Sequence, residues 1–374
     1  MKQNISRKLL ISVTITLVLI LAITVFFGAC GKKTTTVQPP ASTTTTATTP
    51  VKPVTLVFTS HNSGSGFWRK SVIEPYFIEL EKRTNGRVKV EQHWNGELVN
   101  LIDAYDFMLK GSVDLAEYFP SMLAGRFPMD DVVPFGPSDT ICYRPGRVLY
   151  ELGQQFPKML EPYGDAKLLW REPGYSVGVV TTKKAIRDLA GSKGYKIGPV
   201  GRWSSALIEA FGWVPTPVPP EDSTSALQTG VQDGSGISMY LLWEFGWGPL
   251  MKYMTIPIHC DEMLVNCSMN LKTWNSLPPD IQGIINGMSE WIVDLQDEAV
   301  VRNFQESLPK ATSEFGIEII ELSPAEQAKF SAAAVPVQEA FVADLVSKGL
   351  PGKELMAKFL ELNKKYSDKQ YAPK

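Results

Sequence analysis

The sequence predicts an α/β protein of two lobes. Three observations carry this expectation. Residues 195–234 (YKIGPVGRWSSALIEAFGWVPTPVPPEDSTSALQTGVQDG) read as strand, helix, strand, helix and a turn into a further strand. The same alternation recurs over 54–119. The chain has 374 residues and is 44% hydrophobic, enough for two domains with cores of their own. Parallel βαβ units of this kind bind ligands at the carboxyl ends of their strands.

At the start, Lys2, Arg7 and Lys8 precede an apolar run over 9–27, and Gly28 and Ala29 precede Cys30. That order is a secretory leader. Cys30 after two small residues is expected to be a lipidated N-terminus, and the alternative is an uncleaved membrane anchor. Both place the rest outside the cytoplasmic membrane. Residues 30–53 are a Thr/Pro-rich tether with no apolar content to order it.

The globular part opens with a strand over 54–60 and a polar turn over 61–66. A helix over 67–82 follows, with Trp68, Val72, Ile73, Tyr76, Phe77 and Leu80 on its apolar face. Asn85-Gly86 ends it, 87–94 is a strand, 101–109 a helix and 113–119 a strand. A Pro-rich run and a helix over 147–160 lead to strands at 166–170 and 175–181. The chain crosses to the second lobe near Gly174. Within the opening stretch, Gly212 stops the helix that carries Ala206, Leu207, Ala210 and Phe211. Asp222, Ser223 or Thr224 caps a short helix that Gly230 ends. Residues 252–257 and 263–269 are extended. Leu277-Pro-Pro-Asp280 starts a long helix expected to run to about Phe304. Ser323-Pro-Ala-Glu326 is a capping box for a helix through Ala334. Further helices cover 340–347 and 352–364.

The charge of −2 comes without a large basic block, which argues against a nucleic-acid partner. Four cysteines occur, and Cys260 and Cys267 are close enough in sequence to form a hairpin disulfide or to remain thiols. Only three histidines are present, and no metal, phosphate-loop or nucleophile motif appears. Asp130–Asp131 reads as solvated surface, and Asp233 as a backbone tie. No cofactor is expected, and neither is catalysis.

Several stretches together resemble the solute-binding component of a TRAP transporter (tripartite ATP-independent periplasmic). They are Asn85–Leu98 (NGRVKVEQHWNGEL), Lys110–Phe119 (KGSVDLAEYF), Ala226–Gly234 (ALQTGVQDG) and Trp274–Gln282 (WNSLPPDIQ), in the family's order. The resemblance implies a periplasmic-binding-protein (Venus flytrap) fold with a mixed sheet in each lobe and a long helix spanning the lobes. It implies one lobe from 54–174 and 263–304, and another from 175–262 and 305–374. A small organic ligand would bind between them and pass to TRAP membrane subunits; the alternative is a binding protein that serves a different importer or a sensor.

The resemblance also shows what is missing. The family's carboxylate-binding Arg would stand at Gly198. A second Arg follows the element that here is Gly174-Tyr175, and an Asn would stand at Ile237. Two readings stay open. Arg202, at a helix start where backbone N–H groups also favour anions, replaces the lost Arg and holds a carboxylate. Alternatively the ligand is neutral or largely apolar. Further candidates for the cleft are His61, Asn62, Phe67 and Trp68 after the first strand, and Glu117, Tyr118 and Phe119 at a strand end. Trp170, Arg171 and Trp243 complete the set.

Overall fold

The computed structural model describes residues 53–371, apart from 124, 138–140, 175–177, 220–221 and 262. The leader, Cys30, the tether and Tyr175 lie outside the described residues.

In the first half, β1 (Val54–Thr59) leads through a π turn (Arg69–Ile73) into α1 (Glu74–Arg83), then β2 (Val88–His93), α2 (Ala104–Leu109) and β3 (Leu115–Tyr118). α3 (Pro145–Gln155), β4 (Ala166–Gly174) and β5 (Gly178–Thr181) follow. The middle of the chain gives β6 (Lys196–Gly198), α4 (Arg202–Ala210), β7 (Val214–Pro215), α5 (Ser223–Thr229) and β8 (Gly234–Ile237). Next come α6 (Leu241–Glu244), β9 (Tyr253–Ile256), β10 (Met263–Asn270) and α7 (Leu271–Ser276). The chain finishes with α8 (Pro279–Asn286), α9 (Ser289–Phe315), β11 (Glu318–Glu321), α10 (Pro324–Ser347) and α11 (Gly352–Lys365).

The strands form two mixed sheets. The first has the order β2-β1-β3-β10-β4, and the second β11-β9-β5-β8-β6-β7. β1 is parallel to β2 and β3, while β10 is antiparallel to β3 and β4. In the second sheet β6 is parallel to β7 and β8, and β5 is antiparallel to β8 and β9. Trp68, Tyr76, Phe77 and Leu80 are buried against the first sheet. α9 packs on α3 and β4 beside the first sheet and on β11 of the second. Gly234 sits where neighbouring strands crowd. A Cβ there would overlap the Val180 carbonyl oxygen, so a larger residue costs roughly 1–3 kcal/mol. Asp233 beside it accepts the Lys196 N–H at 3.0 Å, which fixes the turn.

Three expectations are corrected, and the alternative left open at Cys260 and Cys267 is decided. The helix beginning at 279 is not continuous. Gly283 and Gly287 lie one turn apart, both poor helix formers, and the Met288 N–H tightens onto Ile285 O at 3.1 Å. α9 then restarts and runs past Phe304 to Phe315, where Gly316 takes φ 69° and ends it. α10 is one helix that carries Pro336 inside it, rather than two separated there. Asp130 is buried at 4% exposure, not solvated. Cys260 and Cys267 are buried thiols with no disulfide between them. Residues 263–267 are extended in β10, about 13 Å at the usual rise, whereas bridged Cα atoms lie within about 7 Å.

Candidate functional site

A cavity of about 110 Å³ lies where strands of both sheets end. From the first sheet it receives His61 and Asn62 after β1, Phe119 and Met122 after β3, and Met263 at the start of β10. From the second it receives Gly198 and Val200 after β6, Ser235 and Gly236 on β8, and Asp261 ahead of β10. Tyr240, Leu241, Phe245 and Trp247 close it from α6 and the turn beyond. A larger groove of about 580 Å³ runs along α3, α9 and the amino-terminal part of β4, away from this strand-end junction.

The polar groups of the cavity are few. The His61 ring meets Phe119 edge-on at 4.6 Å. Burial lowers its pKa to about 4, so it is neutral near pH 7, and its Nδ1 has no hydrogen-bond partner. Asp261 Oδ1 accepts the Val200 N–H at 2.7 Å, just ahead of α4. Burial raises the Asp261 carboxyl to about 7. The Asn62 amide donates to Glu117 Oε2 at 3.0 Å, and Ser60 Oγ donates to the same oxygen at 2.5 Å. Glu117 is itself fully buried, its pKa pushed up to about 7 by desolvation, and its Oε1 is unpartnered.

A second, water-sized space of about 10 Å³ adjoins, with Tyr240 as a shared wall. Trp68, Glu172 and Ser238 line it. Their Nε1, Oε2 and Oγ atoms are buried without partners. Phe67 and Trp68 stack on Tyr240 with ring centroids 6.0 and 6.1 Å apart. Glu244 of α6 accepts the Phe67 N–H at 2.6 Å and so caps the helix that begins there.

The structure therefore gathers His61, Asn62, Phe119 and Gly198 at the main cavity, with Phe67 and Trp68 at its neighbour. It places the other expected residues elsewhere. Alternation along the strands explains two of them, Tyr118 and Arg171. Glu117, Trp170 and Glu172 share one face of the first sheet with Cys267 and Val265; Tyr118 and Arg171 share the other with Asn266. The Tyr118 hydroxyl meets Ser268 Oγ at 2.8 Å in the core of that far face. Arg171 Nη1 donates to Asp130 Oδ1 at 2.9 Å. Trp170 packs edge-on against Tyr76 at 4.8 Å. Arg202 projects onto α10, pairs with Asp344 at 2.6 Å and lies over Trp203 at 4.5 Å. Trp243 donates to Glu314 at 2.7 Å, under Lys310. Ile237 ends β8, its backbone paired with Gly178.

Asp261 and Gln232 are site residues that sequence reasoning missed. Gln232 Nε2 donates to Thr216 O at 2.7 Å. It fills the space beside Gly198, where a Cβ would lie 2.5 Å from that nitrogen. Gln232 lies inside the Ala226–Gly234 stretch that resembles the family, but nothing local marks it as a cavity residue, and Asp261 lies in no motif.

The family model for bacterial extracellular solute-binding proteins, family 7 (DctP), matches residues 61–344. A solute-binding protein of Verminephrobacter eiseniae (strain EF01-2) is 26% identical over 210 residues, covering 54% of this chain and 60% of the relative. This chain thus spans less than two thirds of that relative's length. The 2,3-diketo-L-gulonate-binding periplasmic protein of Escherichia coli K12 is 23% identical over 244 residues, 64% of this chain and 73% of the relative. Among solved structures, a TRAP solute binding protein from Rhodoferax ferrireducens T118, in complex with copurified benzoate, gives a TM-score of 0.74 at 22% identity. It covers 84% of this chain and 98% of its own. One from Bordetella bronchiseptica, with bound (R)- and (S)-mandelate, gives 0.74 at 20% identity over 84% and 99%. These likenesses show the two-lobed TRAP binding-protein fold. The chain belongs to the family 7 bacterial extracellular solute-binding proteins, which are solute receptors and not enzymes.

Proposed function

We propose that this receptor binds a small organic solute in the cavity between its two sheets and delivers it to TRAP-type membrane subunits for ion-gradient-driven import. The carrying observation is the cavity itself: one space, at the strand ends of both sheets, walled by aromatic and aliphatic side chains with a few converging polar groups. Its volume is of the same order as the cavities of about 150 Å³ that take up benzene, which suits a ligand of one ring. The ring-bearing ligands of the Rhodoferax and Bordetella structures agree with that size.

The lobes in this reading are 54–174 with 263–304, and 175–262 with 305–374. Support comes from the strand order, since β5 to β9 and β11 build one sheet and the remaining strands the other. The Glu244–Phe67 hydrogen bond and the stacking of Tyr240 on Phe67 and Trp68 are contacts across the lobes. They would form on closure and shift the population toward the closed receptor. Lipid on Cys30 would tether the receptor at the membrane. Among the described residues no helix is long and apolar enough to cross one.

The test is a thermal-shift and calorimetric screen of one-ring solutes, followed by Leu101→Trp, which fills the cavity from its wall without adding charge. The expected outcome is a ligand-induced rise in Tm in the wild type and none in the variant. Undiminished binding by a folded Leu101→Trp protein would place the site elsewhere.

A further inference from the structure

Among the described residues, no Lys or Arg lines either the main cavity or the small space beside it. The undescribed positions within 53–371 are Ala124, Ser138, Asp139, Thr140, Tyr175, Ser176, Val177, Pro220, Glu221 and Glu262, none of them basic. Arg171 is committed to Asp130 on the far face of the first sheet. Arg202 is committed to Asp344 on α10. The space beside Gly198 is held by Gln232.

Two helix starts border the site, and backbone N–H groups there would ordinarily welcome an anion. Both already hold one of the protein's own carboxyl groups. Asp261 sits on the Val200 N–H ahead of α4, and Glu244 on the Phe67 N–H. One backbone N–H at each place is therefore already taken by a carboxyl group of the protein.

The small space has donors of its own in Trp68 Nε1 and Ser238 Oγ, and the remaining open positions are on the acceptor side. Glu117 Oε1, Glu172 Oε2 and His61 Nδ1 are buried acceptor positions without partners. Glu117 and Glu172 are 0% and 1% exposed, and among the described residues no cation is paired with either. Asp261 lines the main cavity directly, and Tyr240, Phe119 and Trp247 supply ring faces or edges around it. Rings attract cations as well as apolar groups.

Resting on the reading of this cavity as the receptor site, we propose that the ligand is a small amine: a ring-sized apolar body whose polar end is a protonated nitrogen received by Asp261 and His61. The receptor has thereby exchanged the cation of an acid-binding cleft for carboxyl groups. A carboxylate entering this space would be stripped of water and meet acids without a counter-charge.

The test uses the full chain in mild detergent and matched probe pairs, benzylamine against benzoate and phenethylamine against phenylacetate. Calorimetry and thermal shift are run at pH 7.5. The amines should raise Tm and bind at least tenfold more tightly than their acid partners. His61→Phe and Asp261→Asn should each weaken amine binding about tenfold. The His61→Phe change keeps a ring in place and keeps the proposal testable if loss of the Val200 tie unfolds the other variant. Tighter binding of the acids, abolished by Leu101→Trp, would overturn the amine assignment and leave the receptor reading standing. So would binding confined to neutral solutes. Binding of any probe that Leu101→Trp leaves intact would instead overturn the cavity as the site, and the amine assignment with it.

Discussion

On one face of the first sheet, Arg171 and Asp130 are buried against each other at 2.9 Å, and Tyr163 and Asn266 extend the network. On the opposite face, one residue away along β3 and β4, Glu117 and Glu172 are buried with no cation at all among the described residues. Desolvation raises both carboxyls. The two faces use the same strands and the same degree of burial. The difference is that the first network supplies a charged partner inside the protein, whereas the second leaves acceptor oxygens open, that of Glu172 at the small space beside the cavity. Charge satisfied internally serves the fold; charge left unsatisfied next to a cavity is available to a ligand.

Breaking the satisfied face should cost most. Arg171→Ala strands Asp130 and is expected to destabilise the protein by about 3–5 kcal/mol in urea unfolding, with no change in ligand preference. Glu117→Gln on the other face should cost far less, because the Ser60 and Asn62 bonds have an amide to accept or orient them. Equal losses from the two variants would erase the contrast.

The wall beside Gly198 should respond next. Gly198→Ala meets Gln232 and is expected to cost roughly 1–3 kcal/mol. Gln232→Ala in the same chain should recover most of it, a coupling that a double-mutant cycle reads directly. Independent, additive losses would mean that Gln232 does not occupy that space in solution.

The unpaired carboxyls also set a pH signature. Asp261, Glu117, Asp131 and Asp297 are all pushed up to about 7, chiefly by burial. Between about pH 4 and 7 the folded chain holds their protons more tightly than the unfolded chain, so stability falls as pH rises through that window. His61, lowered to about 4, acts in the opposite sense and removes stability as pH falls below about 6.5. Four groups against one predict a higher Tm at pH 5.5 than at pH 8, with a smaller drop in Glu117→Gln. The smallest effect expected is from Glu244→Gln, about 0.5–2 kcal/mol for the weakened helix cap. A larger radius of gyration in solution scattering should accompany it as the Phe67 contact loosens.

Much of the fold was legible because it rests on local signals. The 3.6-residue spacing of Trp68, Val72, Tyr76 and Leu80, the glycine at 230 and the capping box at Ser323 each act within a turn or two. The errors fell where short-range rules compete: Gly283 and Gly287 broke a periodic helix, while Pro336 failed to break one. The site was harder to read for a different reason. Placing Glu117 and Glu172 on one face and Tyr118 and Arg171 on the other requires the register with β10, roughly a hundred or more residues away in sequence. Arg202 reads as an anchor until Asp344, 142 positions on, is seen to hold it. Asp261 carries no motif and enters the cavity only because the chain leaves the second sheet after β9 and joins the first as β10.

The most direct test of the unpaired-carboxyl cavity is the pH dependence of benzylamine affinity between pH 5.5 and 8, followed by calorimetry. The alkylamine stays protonated across this range, while Asp261, which lines the cavity and is raised to about 7, loses its proton. Affinity should climb with pH, up to about tenfold as Asp261 ionises against the bound cation, and the climb should vanish in Asp261→Asn. An affinity that is flat or falls over that range would contradict the assignment of this carboxyl to the ligand.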